Sequence, residues 1–218
     1  MLWGDHPPPE GAARGIKVAL ARPAPGIRKL RIGVMTDADT APVDNSVQER
    51  VLAAAACFAK HGAKVSKLAR PEIDLHQAHK TFIYLVRGAT SSALTGEQFA
   101  KQAAAAANLA PGDESYQAWM LRANSMSVRD WHGWHEKREQ MRARWAEFFR
   151  DWDLLLCPAA ATAAFPHNQK GERWERMVMV NGKPQPSTTQ LFWAGYPGMA
   201  GLPSTVAPAG FTKEGLPV

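Results

Sequence analysis

The feature that most constrains the fold is a strand–helix–strand pattern between residues 30 and 68. The run LRIGVM (Leu30 to Met35) is short, apolar and β-branched, as is typical of a buried strand. Asp44 predicts the start of a helix, and Gly62 stands where the end of that helix favours a left-handed residue. The run AKVSKL (Ala63 to Leu68) predicts the second strand. Because a helix connects the two strands, we expect a parallel pair in an α/β protein.

The composition is that of a globular protein with a modest positive charge. Hydrophobic residues make up 45% of the chain, charged residues 21%, and the formal net charge is +6. Two cysteines, Cys57 and Cys157, do not suggest a disulfide framework. Residues 1–15 are polar and rich in Pro and Gly, so we expect a flexible lead-in without a signal peptide. No apolar run is long enough to span a membrane, so we expect a cytoplasmic protein without a membrane partner.

Residues 74–150 carry helical patterns almost throughout. Pro111-Gly112-Asp113 breaks the series, and one or two long helices rich in Trp, Arg and Glu follow. The apolar run from Asp151 to Ala159 (DWDLLLCPA) then predicts a buried strand, because it is short and ends in a proline.

The C-terminal region predicts a loop, a short helix and a strand. Residues 160–186 read as a loop, and Ser187 can cap the helix TTQLFWAG. The run from Ser204 to Ala207 is β-branched and bounded by prolines, which predicts a strand. Gly210 and Gly215 then bracket a polar turn, after which another strand would begin.

Serines and histidines offer candidate nucleophiles and metal ligands, but each has a simpler structural interpretation. The pair Ser91-Ser92 lacks the tight glycine turn that exposes a nucleophilic serine, so we interpret both as helix serines. Two histidine pairs share helix faces, yet a metal site also needs a third ligand and supporting contacts. We interpret them as an exposed polar stripe beside core tryptophans and predict neither a metal nor a cofactor. The pairs are His76 with His79 and His132 with His135.

The stretch from Arg122 to Arg150 is basic and interleaved with aromatic residues, a pattern that can bind nucleic acid. The same stretch contains Glu136, Glu139 and Glu147, and its large apolar residues recur at near-helical spacing. An amphipathic helix packed on a sheet explains the pattern with fewer assumptions, so we expect no nucleic-acid partner.

Two separated motifs resemble the C-terminal half of the amidase signature family. An aromatic and acidic helix leads into Asp151 to Pro158 (DWDLLLCP), which is similar to the family's D-x-L-L-x-P. The segment from Gly201 to Val218 is similar to the later G-x-P-x-x-x-x-P-x-G-x…G-L-P-V. The resemblance covers residues 16–218. It implies an α/β fold with a partial mixed β-sheet flanked by helices, a fragment of the amidase signature fold.

The resemblance implies hydrolysis of carboxamide C–N bonds through an acyl-enzyme. In the family, the nucleophilic serine is activated through a second, cis-configured serine and a lysine. These lie in the N-terminal half, on a Gly-Gly-Ser-Ser-Gly-Gly-type loop and a Lys-Asp motif. Neither pattern occurs in these 218 residues, so we assign no catalytic residue. We expect the chain to be inactive alone and to pair with a complementary N-terminal half or with itself. Because the family continues past GLPV with Gly-(Leu/Ile/Val)-Gln, we also expect a truncation at the C-terminus.

Substrate selection in the family depends partly on this half. The resemblance therefore implies that the loop after Pro158 and the helix after Ser187 line a pocket for a small amide. The candidate contacts are Thr162, Gln190 and Trp193. Ordinary packing or a solvated loop is the alternative for each of them. Two other functions stay open, a non-catalytic binding or assembly module on the same scaffold and a basic nucleic-acid binder.

Overall fold

The computed structural model describes residues 26–218, and the predicted lead-in, residues 1–15, lies outside this range. Five strands and six α-helices occur in the described part. The strands are β1 (Arg31–Val34), β2 (Lys64–Ser66), β3 (Leu154–Leu156), β4 (Met177–Val180) and β5 (Lys183–Pro186). The helices are α1 (Asn45–Lys60), α2 (Leu75–Thr90), α3 (Gly96–Ala107), α4 (Tyr116–Asn124), α5 (Val128–Asp151) and α6 (Gln190–Ala200).

A parallel three-stranded sheet of order β2–β1–β3 holds the fold together. Ile32 in the central strand pairs in register with Val65 on one side and Leu154 on the other. Helix α1 connects β1 to β2, as the strand–helix–strand pattern predicts. Its N-cap is Asp44, whose carboxylate accepts from the Ser46 N–H at 3.0 Å. The predicted parallel pair and the α/β class are therefore confirmed.

The two faces of the sheet are covered by different helices. On one face, Val51 and Ala55 of α1 share a buried cluster with Ile32 of β1. On the other face, a Cβ at Gly33 would lie 2.6 Å from the Ala69 carbonyl oxygen and 3.0 Å from the Phe148 ring of α5. Gly33 therefore allows the segment after β2 and helix α5 to approach the central strand closely.

The largest buried cluster lies among helices α2, α5 and α6 and the segment that follows β1. The largest apolar side chains of the cluster come from α5 and α6, and charged residues cover the opposite face of α5. The buried members of this cluster include Met35, Val43, Met141, Trp145, Phe148, Phe192, Trp193, Tyr196 and Met199.

No helix among residues 26–218 is long and apolar enough to cross a membrane.

Strands β4 and β5 form an antiparallel hairpin inside residues 160–186, so the prediction of a loop was wrong for its last part. Val178 and Val180 are buried, whereas Met177 and Met179 are more than half exposed, as a strand with one packed face requires. The two-residue turn is Asn181-Gly182, with φ of 51° and 74°. This Asn-Gly signal was present in the sequence, but the two prolines of β5 concealed the second strand.

Two other strand predictions need correction. The run from Ser204 to Ala207 lies outside every helix and strand of the described chain, and Val206 is 78% exposed. Residues 154–156 do form a strand, but it lies at an edge of the sheet and Leu154 is 46% exposed rather than buried. The polar turn after Gly210 is confirmed, because Phe211 pairs with Pro217 across it. Both errors concern contacts between distant segments, which local composition does not report.

Candidate functional site at the carboxyl edge of the sheet

The chain leaves all three parallel strands at the same edge of the sheet, which is called the carboxyl edge below. Residues 35–44 follow β1, residues 67–74 follow β2 and residues 157–176 follow β3. In open α/β sheets, ligands bind in the crevice outside the carboxyl ends of the strands. This edge is therefore the candidate functional site.

The segment after β1 is held in place by hydrogen bonds at both of its ends. The Met35 N–H donates to the Leu156 carbonyl oxygen at 3.0 Å. Farther along, an Asp37 carboxylate oxygen accepts from the Val43 N–H at 2.8 Å. Three residues of the segment, Ala38, Ala41 and Val43, are buried. The backbone of residues 35–43, at the centre of the carboxyl edge, is thus held in one conformation by hydrogen bonds and packing.

Thr162 and Gln190, two of the three predicted substrate contacts, lie side by side at this edge. Gln190 is the first residue of α6, and its side-chain carbonyl oxygen accepts from the Ala161 N–H at 2.7 Å. Its amide nitrogen donates to the Thr162 hydroxyl oxygen at 3.2 Å. Because that hydroxyl accepts from Gln190, its own hydrogen is available to donate to a ligand carbonyl.

Trp193, the third predicted contact, is in the core of the protein and only 2% exposed. Its indole N–H donates to the Ala41 carbonyl oxygen at 3.2 Å, and its ring meets the Phe192 ring edge to face. Trp193 therefore supports the segment after β1 from beneath. A substrate contact by any of these three residues stays a prediction.

A small cavity opens between the ends of β1 and β2, and its volume is about 210 Å³. Its wall combines two cations, a carboxylate, a hydroxyl group and two apolar side chains. The sequence motifs singled out none of these residues, although the rule for the carboxyl ends of parallel strands indicates their position. The lining residues are Val34, Thr36, Asp37, Leu52, Lys67 and Arg70.

The N-terminus of α1 also lies at the carboxyl edge, but its N–H groups are already bound. Asp44 accepts from the Ser46 N–H and hydroxyl group, and from the Asn181 N–H at 2.9 Å. The Asn181 side-chain oxygen accepts from the Asn45 N–H at 2.8 Å. Burial acts to raise the pKa of Asp44, yet these hydrogen bonds outweigh it and hold the pKa below its usual value. The helix end is therefore satisfied by protein groups.

Burial keeps two reactive side chains of the described chain, Cys157 and Tyr196, neutral, which disfavours nucleophilic attack by either of them. Burial raises the pKa of the Cys157 thiol to about 11, so the thiol is neutral at pH 7. Burial likewise raises the pKa of the Tyr196 hydroxyl group. Ser91 and Ser92 lie in a short 3₁₀ turn directly after α2, where the Ser91 hydroxyl donates to the Gly88 carbonyl oxygen at 2.8 Å. The predicted helical context of both serines is confirmed.

One of the paired histidines is not part of an exposed stripe, which corrects the prediction. His79 is 7% exposed and packs edge to face between Trp119 of α4 and Phe192 of α6. Burial, together with the nearby His76, lowers the pKa of His79 to about 4. Among residues 26–218, no group of three or more His, Cys, Asp or Glu side chains could hold a metal ion.

Most of the basic stretch forms the amphipathic helix α5, as predicted, whereas Arg122 lies in α4. Trp145 and Phe148 are buried on one face, and charged pairs cover the other. Glu139 pairs with Arg138 and with Arg142, each at 3.2 Å. Several of the basic side chains that could contact phosphates are thus engaged with carboxylates of their own helix.

The sequence of this chain is similar to sequences of known proteins. The family model described as Amidase matches residues 17–218. A glutamyl-tRNA(Gln) amidotransferase subunit of Brevibacillus brevis is 26% identical over 209 residues, which cover 88% of this chain and 40% of that protein. The corresponding subunit of the amidotransferase from Synechococcus sp. is 26% identical over 232 residues, with 98% and 44% covered. The chain thus spans about two fifths of the length of these relatives.

Solved structures also align with this chain over less than half of their own length. A crystal structure of an amidase aligns with a TM-score of 0.57 and 16% identity, covering 95% of this chain and 43% of that one. An inhibitor-bound vestigial protein complex, which bears on the origins of an s-triazine catabolic enzyme, gives a TM-score of 0.56 and 21% identity, with 88% and 38% covered. 6-Aminohexanoate cyclic dimer hydrolase gives 0.51 and 19%, with 93% and 44% covered. At these identities the likeness concerns the fold alone.

Proposed function

Because the chain belongs to the amidase family, we propose that it supplies one part of an amidase and takes part in carboxamide hydrolysis only with the remaining part. The proposal rests on the contrast between the extent of the family match and the absence of the family's nucleophile loop from the sequence. The family match extends over residues 17–218, yet these residues contain no Gly-Gly-Ser-Ser-Gly-Gly-type loop. A family fold without its nucleophile can shape a pocket, but it cannot form an acyl-enzyme.

The carboxyl edge is the part of this chain that we expect to face the substrate. The hydrogen bond from Gln190 leaves the Thr162 hydroxyl group free to donate to an amide carbonyl oxygen. Trp193 acts from beneath, because it fixes the neighbouring segment through Ala41. In the assembled enzyme, a serine of the other part attacks the amide carbon, the amine leaves with a proton, and water releases the acid from the serine.

A partner polypeptide is part of the proposal. The curated relatives are named as subunits of an amidotransferase, and one structural neighbour comes from a protein complex. The chain spans only 38–44% of the relatives and solved structures named above, so more than half of their length lies outside the match. A cytoplasmic location is also a prediction, which fractionation of cells that produce the chain would test.

The test is an amidase assay of the chain alone and together with the unmatched part of a relative. A panel of simple aryl and alkyl amides serves as substrate, and release of the amine or ammonia is the readout. We expect no turnover by the chain alone and turnover by the combination. Replacing the nucleophilic serine of the added part by alanine should abolish it. Turnover by the chain alone, or silence in every combination, would contradict the proposal and favour a binding or assembly module.

A further inference from the structure

Two basic side chains, Lys67 and Arg70, line the cavity between the ends of β1 and β2. Both stand on the segment that leaves β2, and hydrogen bonds hold that segment in a turn. The Ser66 hydroxyl oxygen accepts from the N–H groups of Leu68 and Ala69, both at 3.2 Å. The Arg70 guanidinium group donates to the Lys67 carbonyl oxygen at 3.2 Å. The two cations are therefore presented by one hydrogen-bonded turn.

The rest of the cavity wall combines polar groups that follow β1 with an apolar part. Thr36 contributes a hydroxyl group, and Asp37 contributes a carboxylate, one oxygen of which accepts from the Val43 N–H at 2.8 Å. Val34 of β1 and Leu52 of α1 pack in the same apolar cluster and supply the apolar part of the wall. The wall thus carries two positive charges and one negative charge beside apolar surface.

The charges and the volume of the cavity define a class of ligand. A wall with an excess of one positive charge attracts a singly charged anion, whereas a doubly charged anion would place its second charge near Asp37. The guanidinium group of Arg70 matches the geometry of a carboxylate, and the Thr36 hydroxyl can donate to a carboxylate oxygen. A volume of about 210 Å³ holds an acid of about seven non-hydrogen atoms, since one water occupies about 30 Å³ of the liquid.

We propose that this cavity binds a small monocarboxylate, with the carboxylate between Lys67 and Arg70 and a short hydrocarbon chain against the apolar part of the wall. The cavity is separate from the loop after β3 that Gln190 holds. The sheet order β2–β1–β3 places the segments after β2 and after β3 on opposite sides of the segment after β1. The inference does not rest on the proposed function, because residues of this chain alone form the cavity.

Pentanoate, a monocarboxylate of the required size, is the probe for this site. It is titrated into the unmodified chain at pH 7, and binding is followed through the backbone amide signals in nitrogen–proton correlation spectra. We expect saturable shifts of the amides of residues 35–37 and 67–70, with a dissociation constant of about 1 mM for so small a ligand. Pentanamide has the same shape without the charge and should bind at least about tenfold more weakly. Inorganic phosphate should also bind more weakly than pentanoate.

Lys67→Gln and Arg70→Gln each remove one of the two cations from the wall. Lys60→Gln is the control, because it removes the same charge from an exposed residue at the end of α1, on the other edge of the sheet. We expect each of the first two variants to weaken pentanoate binding by about tenfold, and Lys60→Gln to bind like the parent chain. Circular dichroism checks that each variant is folded. Lys67→Gln leaves the hydrogen bonds of the turn in place, so it tests the site even where Arg70→Gln disturbs that turn.

Each other outcome overturns the inference in a defined way. Absence of saturable shifts up to about fifty times the expected dissociation constant would exclude the site. Equal binding of pentanamide, or tighter binding of phosphate, would exclude a monocarboxylate as its ligand. Unchanged binding by both Lys67→Gln and Arg70→Gln would exclude this location. Amide hydrolysis is not part of the readout, so pentanoate binding and the proposed function can fail independently of each other.

Discussion

At the scale of single residues, His79 shows how packing can set a protonation state. The imidazole lies between Trp119 and Phe192, and its Nδ1 atom has no hydrogen-bond partner within the described chain. His76 on the same helix contributes to the lowered pKa of His79. The Glu114 carboxylate pairs with Lys80 and accepts from the Trp119 indole N–H. No carboxylate reaches His79 itself, so burial favours the neutral ring.

The low pKa of His79 has a consequence for stability. The folded state holds the pKa at about 4, below its ordinary value of 6.5, so the unfolded chain binds the proton more readily. The free energy of unfolding should therefore fall as pH drops from 6.5 towards 4, by about 2 kcal/mol between pH 7 and 4.5. Urea unfolding of His79→Phe should lack this component, whereas the exposed control His132→Phe should retain it. Equal pH dependence in all three proteins would contradict this assignment.

Gln190 holds the loop after β3 at the candidate site through two hydrogen bonds. Gln190→Ala removes the bonds to Ala161 and Thr162, which should cost about 1–2 kcal/mol of the unfolding free energy. Hydrogen exchange should also become faster in the loop after β3. Gln140→Ala is the control, because Gln140 is exposed and makes one long contact of 3.4 Å with Glu136. Equal effects of the two substitutions would mean that the Gln190 bonds do not hold the loop.

At the scale of secondary-structure elements, the crossing of α2 and α6 depends on the absence of one side chain. A Cβ at Gly195 of α6 would overlap the Phe82 ring of α2, whereas a Cβ at Gly198 would meet no atom within 4 Å. The two glycines stand three positions apart on one helix. They provide a matched pair in which helix propensity is the same and packing differs.

Gly195→Ala and Gly198→Ala should consequently change stability in opposite directions. Overpacking against Phe82 should lower the unfolding free energy by about 1–3 kcal/mol in the first variant. Higher helix propensity should raise it by up to about 1 kcal/mol in the second variant. Chemical denaturation of both variants gives the comparison. Adding Phe82→Leu to Gly195→Ala should recover part of the loss, and an absence of any recovery would argue against the overlap.

The run from Ser204 to Ala207 is the element for which sequence and structure disagree most. Its β-branched residues and flanking prolines suit a strand, but a strand also needs a neighbour, and the described residues provide none. We expect its amides to become protected when the unmatched part of an amidase binds, and hydrogen exchange measured with and without that part would report this. Fast exchange of this run in a stable complex would show that it remains a loop.

At the scale of the whole molecule, the sequence predicted the helices, strands and breaks that a few neighbouring residues determine. The Asp44 cap, the β1–α1–β2 unit, the break at Pro111 and the position of β3 are each encoded by a few neighbouring residues. Burial of His79 and exposure of Leu154 depend on which distant segments meet, and composition does not carry that information. The β4–β5 hairpin is local, but the prolines of β5 concealed its second strand. For the candidate site, the family resemblance implied substrate contacts by Thr162, Gln190 and Trp193, and these stay predictions. The hydrogen bond between Gln190 and Thr162 and the cavity beside Lys67 and Arg70 were not predicted.

The partner in the proposed function leads to a prediction about the stability of the whole molecule. A partner that binds only the folded chain stabilises it by mass action. The midpoint of thermal unfolding should therefore rise with the concentration of the unmatched amidase part, and unfolding should be monitored by circular dichroism. A midpoint that does not depend on the added polypeptide would contradict the expectation.

The hairpin turn at Asn181 has a consequence for the ageing of the protein. Asn181 precedes Gly182, and a glycine at this position leaves an asparagine side chain open to deamidation. The Asn181 amide donates to the Val43 carbonyl oxygen, and its backbone N–H donates to Asp44. Conversion to aspartate would remove that donor and place a second negative charge beside Asp44. Stored protein should accumulate a deamidated, less stable form that Asn181→Asp reproduces and that peptide mass mapping would locate at this turn.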